Sequence, residues 1–259
     1  MDAPTVIIPC YNEAERLRPQ DFLDALDAWP DLRLHFVDDG SVDATFALLE
    51  RLDHPRATVQ RLRVNGGKGA AVRAGVHYAL GTGAPVIGWW DADLATPLSE
   101  IRRFHTELFN APHRVAVIGA RIQLHGNHVR RRTWRHYAGR IAATAASHVL
   151  HMPVYDTQCG AKLLRADAAE VAFQRPFLTR WMFDVEVLAR LRDHLGDATH
   201  DAIREIIVDA WAEVAGSKVG LKDVLRVPLD LARIARAYPP HPERSSTARN
   251  SGGPSAPGS

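Results

Sequence analysis

Two carboxylates, Asp91 and Asp93, stand two residues apart at the end of the apolar run Pro85-Val86-Ile87-Gly88-Trp89-Trp90. Alternate residues of an extended chain point the same way, so both can face one point beyond the strand's end. Hard oxygen donors placed like this suit Mg²⁺ or Mn²⁺ carrying a substrate phosphate. An acidic cap on a strand-to-helix turn, ahead of a helix starting near Pro97, would use the same residues for packing alone. The spacing by itself does not choose, because short motifs of this kind recur without function.

The elements that must position the pair are legible in the flanking rhythm. Strands are expected at Val6-Ile7-Ile8, Leu34 to Val37, about Thr58 to Leu62, the run before Asp91, and Val115 to Ile118. Helices are expected from about Asn12, over Ala44 to Leu52 with Asp43 as cap, over Ala70 to Leu80 after the tight turn Asn65 to Gly69, and over Pro97 to Phe109. This alternation predicts a largely parallel α/β sheet covered on both faces. Ligands of such sheets bind at the carboxyl ends of the strands. Pro9-Cys10-Tyr11-Asn12, Asp38-Asp39-Gly40-Ser41 and Asp91-Ala92-Asp93 all fall just after a strand, so three polar clusters share one edge.

After about Gly119 the rhythm changes. A long helix over Arg131 to Leu150 is led by Arg131, Arg132 and Arg135 and carries Trp134, Tyr137 and Ile141. The turn Asp156 to Gly160, a strand at Lys162 to Leu164, helices at Ala166 to Phe173 and Phe183 to Leu195, and a strand at Ile203 to Val208 follow. Leu221 to Tyr238 is amphipathic, with Leu221, Val224, Leu225, Leu231, Ala235 and Tyr238 opposite Lys222, Arg226, Asp230 and Arg233, and Pro228 is expected to kink or divide it. The chain reads as one domain over 1–238, with halves 1–119 and 120–238, and a disordered tail over 239–259, rich in Pro, Gly, Ser and charge.

Bulk properties exclude more than they assign. A formal charge of +2 is too small to imply nucleic acid. Two cysteines, Cys10 and Cys159, make no disulfide framework, and a reducing cytoplasm is expected. No signal peptide and no run of about 18 apolar residues is visible, so a membrane-borne substrate would be approached from the bilayer surface.

The strings Val6-Ile7-Ile8-Pro9-Cys10-Tyr11-Asn12-Glu13, Val37-Asp38-Asp39-Gly40-Ser41, Gly67-Lys68-Gly69 and Asp91-Ala92-Asp93 resemble glycosyltransferase family 2 enzymes of the GT-A fold. Gly119-Ala120-Arg121, Asp156-Thr157-Gln158-Cys159-Gly160-Ala161-Lys162-Leu163, Arg180-Trp181-Met182-Phe183-Asp184-Val185-Glu186 and Trp211 to Lys218 resemble its dolichyl-phosphate glucosyltransferase branch. The likeness spans roughly residues 4 to 238, and its second-half strings are the more specific. It implies a Rossmann-like sheet with a helical acceptor-side region. It also implies an inverting, metal-dependent transfer of a hexose from UDP-glucose or GDP-mannose to a polyprenyl phosphate.

The resemblance assigns residues. Pro9, Tyr11, Glu13, Asp38 and Asp39 would line the nucleotide site, where a carboxylate accepts from a base imino group. Lys68 and Arg73, at a helix N-terminus, would hold diphosphate oxygens. Asp91 and Asp93 would hold the divalent ion. Where glucosyl relatives commonly continue with Gly and mannosyl ones with Leu-Gln, this chain has Leu94-Ala95-Thr96, which leaves the donor open. An ionised lipid phosphate attacks without a base, so its site needs orientation and charge balance. Arg121, Arg131, Arg132 and Arg135 offer planar forks for that, with Lys162 and Arg180 as weaker candidates. Asp184 lines the site as a catalytic candidate, either as base or as orienter of Arg180 or the sugar. Cys159 reads as packing, and Trp89 and Trp90 as core or pocket wall. A family 2 transferase acting on a soluble or glycan hydroxyl, which would need a base, is the alternative, and a non-catalytic nucleotide-sugar-binding module, against which the intact Asp-x-Asp argues, is the third reading.

Overall fold

The structure, a computed structural model, describes residues 3–122, 128–130, 144–212 and 221–239. Its first half runs β1 (Pro4–Cys10), α1 (Pro19–Ala28), β2 (Arg33–Asp38), α2 (Thr45–Leu49), β3 (Ala57–Arg61), α3 (Lys68–Gly81), β4 (Val86–Trp90), α4 (Glu100–Phe109) and β5 (Ala116–Ala120). The second half holds β6 (His128–Arg130), helix α5 over 144–150, β7 (Ala161–Arg165), α6 (Ala166–Phe173), α7 (Phe183–Leu195), α8 (Thr199–Ala202), β8 (Ile203–Ile207), β9 (Ala210–Ala212) and α9 (Leu221–Ala237). The arginine-led start of the expected long helix, with Trp134, Tyr137 and Ile141, lies outside the described residues, as does the tail from 240.

Seven strands form one sheet in the order β3-β2-β1-β4-β7-β5-β8. All are parallel to their neighbours except β7, which runs antiparallel to both β4 and β5. A short parallel pair, β6 and β9, stands apart.

Adjacent strand residues point to opposite faces, and β4 shows the consequence. Trp90 enters the layer beneath α1 and α4, edge-on to Phe104 at 5.1 Å. Trp89 enters the layer beneath α3, α6 and α7, edge-on to Phe173 at 5.4 Å. Each indole N–H finds an acceptor, Thr96 O at 3.1 Å for Trp90 and Asp184 Oδ1 at 3.3 Å for Trp89. A third apolar cluster joins α5, α7 and α9 through Leu150, Leu188, Leu231 and Ile234.

Three expectations shift. The first helix begins at Pro19, with proline in its first turn, rather than near Asn12. Residues 12–14 are instead drawn to the turn after β2: Asn12 N donates to Ser41 Oγ, Glu13 N to Thr45 Oγ1 and Ala14 N to Asp43 Oδ2. Asn12 adopts φ 50°, which suits a short polar side chain better than a branched one. Second, α9 runs through Pro228 without a break. Third, Leu225 does not face inward: it is exposed with Leu229, while Val227, Leu231 and Ile234 are buried. No helix among the described residues is long and apolar enough to cross a membrane.

Candidate active site

Parallel strands end on one edge, so β1, β2, β4 and β5 deliver Tyr11 to Glu13, Asp38–Asp39, Asp91–Asp93 and Arg121 to the same side of the sheet. The antiparallel β7 starts there, with Ala161 opposite Trp90, and brings the turn Asp156 to Gly160 beside Asp91. A Cβ on Gly160 would lie 1.9 Å from Asp91 Oδ2, so this carboxylate rests on bare backbone and no larger residue fits.

Lys68, in the first turn of α3, places Nζ 2.5 Å from Asp91 Oδ1. Burial opposes ionisation of Asp91, but Lys68, then Arg121 and Lys162, hold its carboxyl below the usual range. Asp93 goes the other way: burial, then the charge of Asp91, pushes its carboxyl up against a hydrogen bond from Ala95 N at 3.1 Å. Lys68 faces Asp91, and Arg16 Nη1 lies 3.9 Å from Asp93 Oδ2. Two neighbouring carboxylates at one strand end, Asp91 resting on Gly160, are hard oxygen donors that fit a divalent cation. Among the described residues no group of three or more His, Cys, Asp and Glu side chains is placed to hold a metal. The remaining oxygens would have to come from substrate and water.

After β2, both Asp39 oxygens accept backbone N–H groups, Gly66 N and Gly67 N at 2.8 Å each, and Asn65 Nδ2 donates to Asp39 O. Burial raises the Asp39 carboxyl despite those bonds. Each oxygen keeps a second lone pair, so Asp39 both shapes the turn and can accept from a ligand. Asp38 is fully buried: Oδ1 accepts Ser41 N at 3.2 Å, and Oδ2 has no hydrogen bond, with Arg61 Nε 3.3 Å away. It is a strut of the turn rather than an open contact. Glu13 is gripped by Arg16 through two bonds of 2.6 and 2.9 Å. Tyr11 stands at the exposed rim after β1.

Arg73 does not join this group. Its Nε donates to Phe173 O and its Nη2 to Gln174 O, at 3.0 and 3.1 Å. Five residues beyond Lys68, it lies on a different face of α3 and docks the end of α6, which corrects the expectation that it holds diphosphate.

After β5, Arg121 meets Asp156 in a two-pronged pair, Nε–Oδ2 2.7 Å and Nη2–Oδ1 2.8 Å, and lies 5.5 Å from the Trp211 ring centre. Asp156 outweighs burial and holds the guanidinium charged. Glu205 on β8 fixes the approach by accepting Tyr155 N and Asp156 N. Arg131, Arg132 and Arg135 lie outside the described residues.

Lys162 and Asp184 correct two expectations together. Lys162 is fully buried, with Nζ 2.7 Å from Asp184 Oδ1 and 2.5 Å from Cys159 O. It is thus no phosphate ligand, and the same Asp184 oxygen also serves Trp89. Arg180 lies across the Asn65 turn, donating to Asn65 O at 3.3 Å and to its Oδ1. This places it beside the turn that Asp39 holds rather than beside Arg121. Burial pushes the Cys159 thiol up to about 11, so it is an inert packing group.

Sequence reasoning missed Arg16 and the Arg121–Asp156 and Lys162–Asp184 pairs. Arg16 had a local signal, an acid–base spacing of three residues from Glu13. The two pairs span 35 and 22 residues and had none.

The family model described as glycosyl transferase family 2 matches residues 5–173. A dolichyl-phosphate beta-glucosyltransferase of Trichomonas vaginalis is 30% identical over 251 residues, covering 89% of this chain and 70% of that one. A polyprenol monophosphomannose synthase of Mycolicibacterium smegmatis is 33% identical over 169 residues, covering 64% of this chain and 62% of that one. Glucosyl-3-phosphoglycerate synthase of Mycobacterium tuberculosis, solved with Mn²⁺, UDP and glucosyl-3-phosphoglycerate, superposes with a TM-score of 0.66 at 17% identity, over 91% of this chain and 80% of that one. That likeness shows the fold, the GT-A arrangement of a mostly parallel sheet between helices. With its strand-end carboxylates in that fold and its family model matched across most of its length, the chain is a glycosyltransferase and belongs to glycosyl transferase family 2.

Proposed function

We propose that this enzyme transfers a hexose, with UDP-glucose as first-choice donor, to the phosphate of a polyprenyl-type lipid with inversion at the sugar. The Trichomonas vaginalis relative's name supports glucose and a lipid phosphate. The Mycolicibacterium smegmatis relative's name makes GDP-mannose the second donor.

The observation that carries the acceptor class is the state of Asp184. Its Oδ1 takes both Lys162 Nζ and Trp89 Nε1, and its side chain is 3% exposed. A carboxylate sealed against a buried ammonium is poorly placed to remove a proton from a hydroxyl. A phosphate acceptor, already ionised near neutral pH, needs no such step.

Each group then has a task. Asp39 holds the Asn65–Gly67 turn toward the nucleotide, and Lys68 balances Asp91 and faces the diphosphate. Arg121, held flat by Asp156 and Trp211, orients the acceptor phosphate, with Arg131, Arg132 and Arg135 as further ligands. Asp91 and Asp93 would hold Mg²⁺ or Mn²⁺, which supplies charge stabilisation to the departing nucleoside diphosphate. Leu225 and Leu229, exposed on α9 beside Arg226, Arg233 and Arg236, support a peripheral seat on the cytoplasmic face of a membrane.

The test is a matrix of labelled sugar nucleotides against short polyprenyl phosphates and glycan hydroxyl acceptors, with products resolved by mass. A glucosyl or mannosyl polyprenyl phosphate is the expected product. Transfer confined to hydroxyl acceptors would overturn the reading.

A further inference from the structure

Arg190 and Glu186 lie on α7, one turn apart, and both are buried. All five N–H groups of Arg190 are used. Nη1 donates to Ala172 O and Arg175 O, Nη2 to Pro176 O and Glu186 Oε1, and Nε to Tyr238 Oη, at 2.7–3.0 Å. Glu186 Oε2 accepts Leu178 N at 2.8 Å, and Oε1 accepts the Tyr238 hydroxyl at 3.1 Å. One buried ion pair thus takes a carbonyl of the last turn of α6 and three backbone groups of the segment between α6 and α7, and a tyrosine from the end of α9 bridges both its members. A planar five-donor guanidinium can fix several carbonyls at once in a way an ammonium cannot.

That segment ends in Arg180, which lies over the donor-side turn. Arg180 donates to Asn65 O and Oδ1, and a Cβ on Gly67 would come within 3.0 Å of Arg180 Nε. Asn65, Gly66 and Gly67 make the turn that Asp39 grips from the other side, and Gly67 caps the helix that carries Lys68. The turn is held between Asp39 and Arg180. Only Arg180 is placed by groups remote from the strand ends.

We infer that Glu186, Arg190 and Tyr238 are positioning residues for sugar-nucleotide binding, acting through Arg180 on the Asn65–Gly67 turn. The inference rests on the donor reading above, with this turn facing the nucleoside diphosphate. It gives Glu186 a task that needs no contact with substrate.

A double-mutant cycle on the full chain tests it, with Kd for UDP and for GDP measured by calorimetry in Mn²⁺. Glu186→Gln keeps one of the two acceptor oxygens, turns the other into an NH2 that faces a donor, and removes the charge that holds Arg190. It is expected to weaken the preferred nucleotide about fivefold in the unaltered chain and less than about twofold in an Arg180→Ala background, the non-additivity of residues acting through one another. Tyr238→Phe removes one hydroxyl from the rim of the network. It repeats the cycle should Glu186→Gln fold poorly, with an expected loss of about threefold that again vanishes without Arg180. Equal losses in both backgrounds, or no loss in the unaltered one, would overturn the inference while leaving the donor reading standing. Binding of neither nucleotide by the unaltered chain would overturn both.

Discussion

Lys162 and Asp184 offer the sharpest test, because the pair separates a proton acceptor from a buried counter-ion. The side chains are 0% and 3% exposed and meet at 2.7 Å. At an effective dielectric of about 20 their attraction is about 6 kcal/mol, most of it offset by the desolvation of both ions. Removing one partner forfeits the attraction and keeps the other's desolvation. Lys162→Met and Asp184→Asn should therefore each cost about 3–5 kcal/mol of folding stability. The double variant leaves neither partner's charge unpaired and, beyond the pair itself, loses the Nζ bond to Cys159 O, a deficit of about 1–2 kcal/mol. Urea denaturation followed by tryptophan fluorescence, with Trp89 against the pair, gives these values directly. Activity completes the test. If Asp184 only balances Lys162, the double variant regains turnover to within about tenfold of the unaltered chain. A general base would leave it about 10²–10⁴-fold down however stable it is. Single variants that lose less than about 1 kcal/mol, or a stable double variant without activity, would refute the reasoning.

Other outcomes follow from the same geometry. Asp93→Asn should lower turnover at least about 10²-fold and abolish its dependence on added Mn²⁺, while changing stability little, since among the described residues the hydrogen bond of this partly exposed side chain is the one it accepts from Ala95 N. Turnover of that variant measured across Mn²⁺ concentrations checks this. Arg121→Ala should raise the KM for polyprenyl phosphate and leave that for the sugar nucleotide unchanged. It should also cost about 3–5 kcal/mol, because Asp156 loses its buried partner, so acceptor kinetics must be read at a temperature where the variant is folded. The protein should co-sediment with anionic vesicles at low salt and be released by salt or by Leu225→Ser/Leu229→Ser, and a sedimentation assay decides. Cys159, with its thiol pushed up to about 11, stays protonated at pH 8. Mass spectrometry should find it unmodified by iodoacetamide in the native state and modified in urea.

Local pattern carried the sheet. Val6-Ile7-Ile8, Leu34 to Val37 and the run into Asp91 each declare a buried strand, and the polar residue after each declares the ligand edge, because period and strand end are properties of neighbouring residues. The strings around Asp91, Asp156 and Asp184 carried the family in the same way. Partnership between distant residues was decided by tertiary structure. Only the antiparallel insertion of β7 between β4 and β5 sets Gly160 beneath Asp91 and drives Lys162 into the interior beside Asp184. Arg73 reads like Lys68 in sequence, yet five residues along the helix turn it to a different face, where it meets the carbonyls at the end of α6 instead of the strand ends. A charged side chain advertises its charge locally. Which opposite charge it meets, and whether water reaches the pair, depends on how the layers pack.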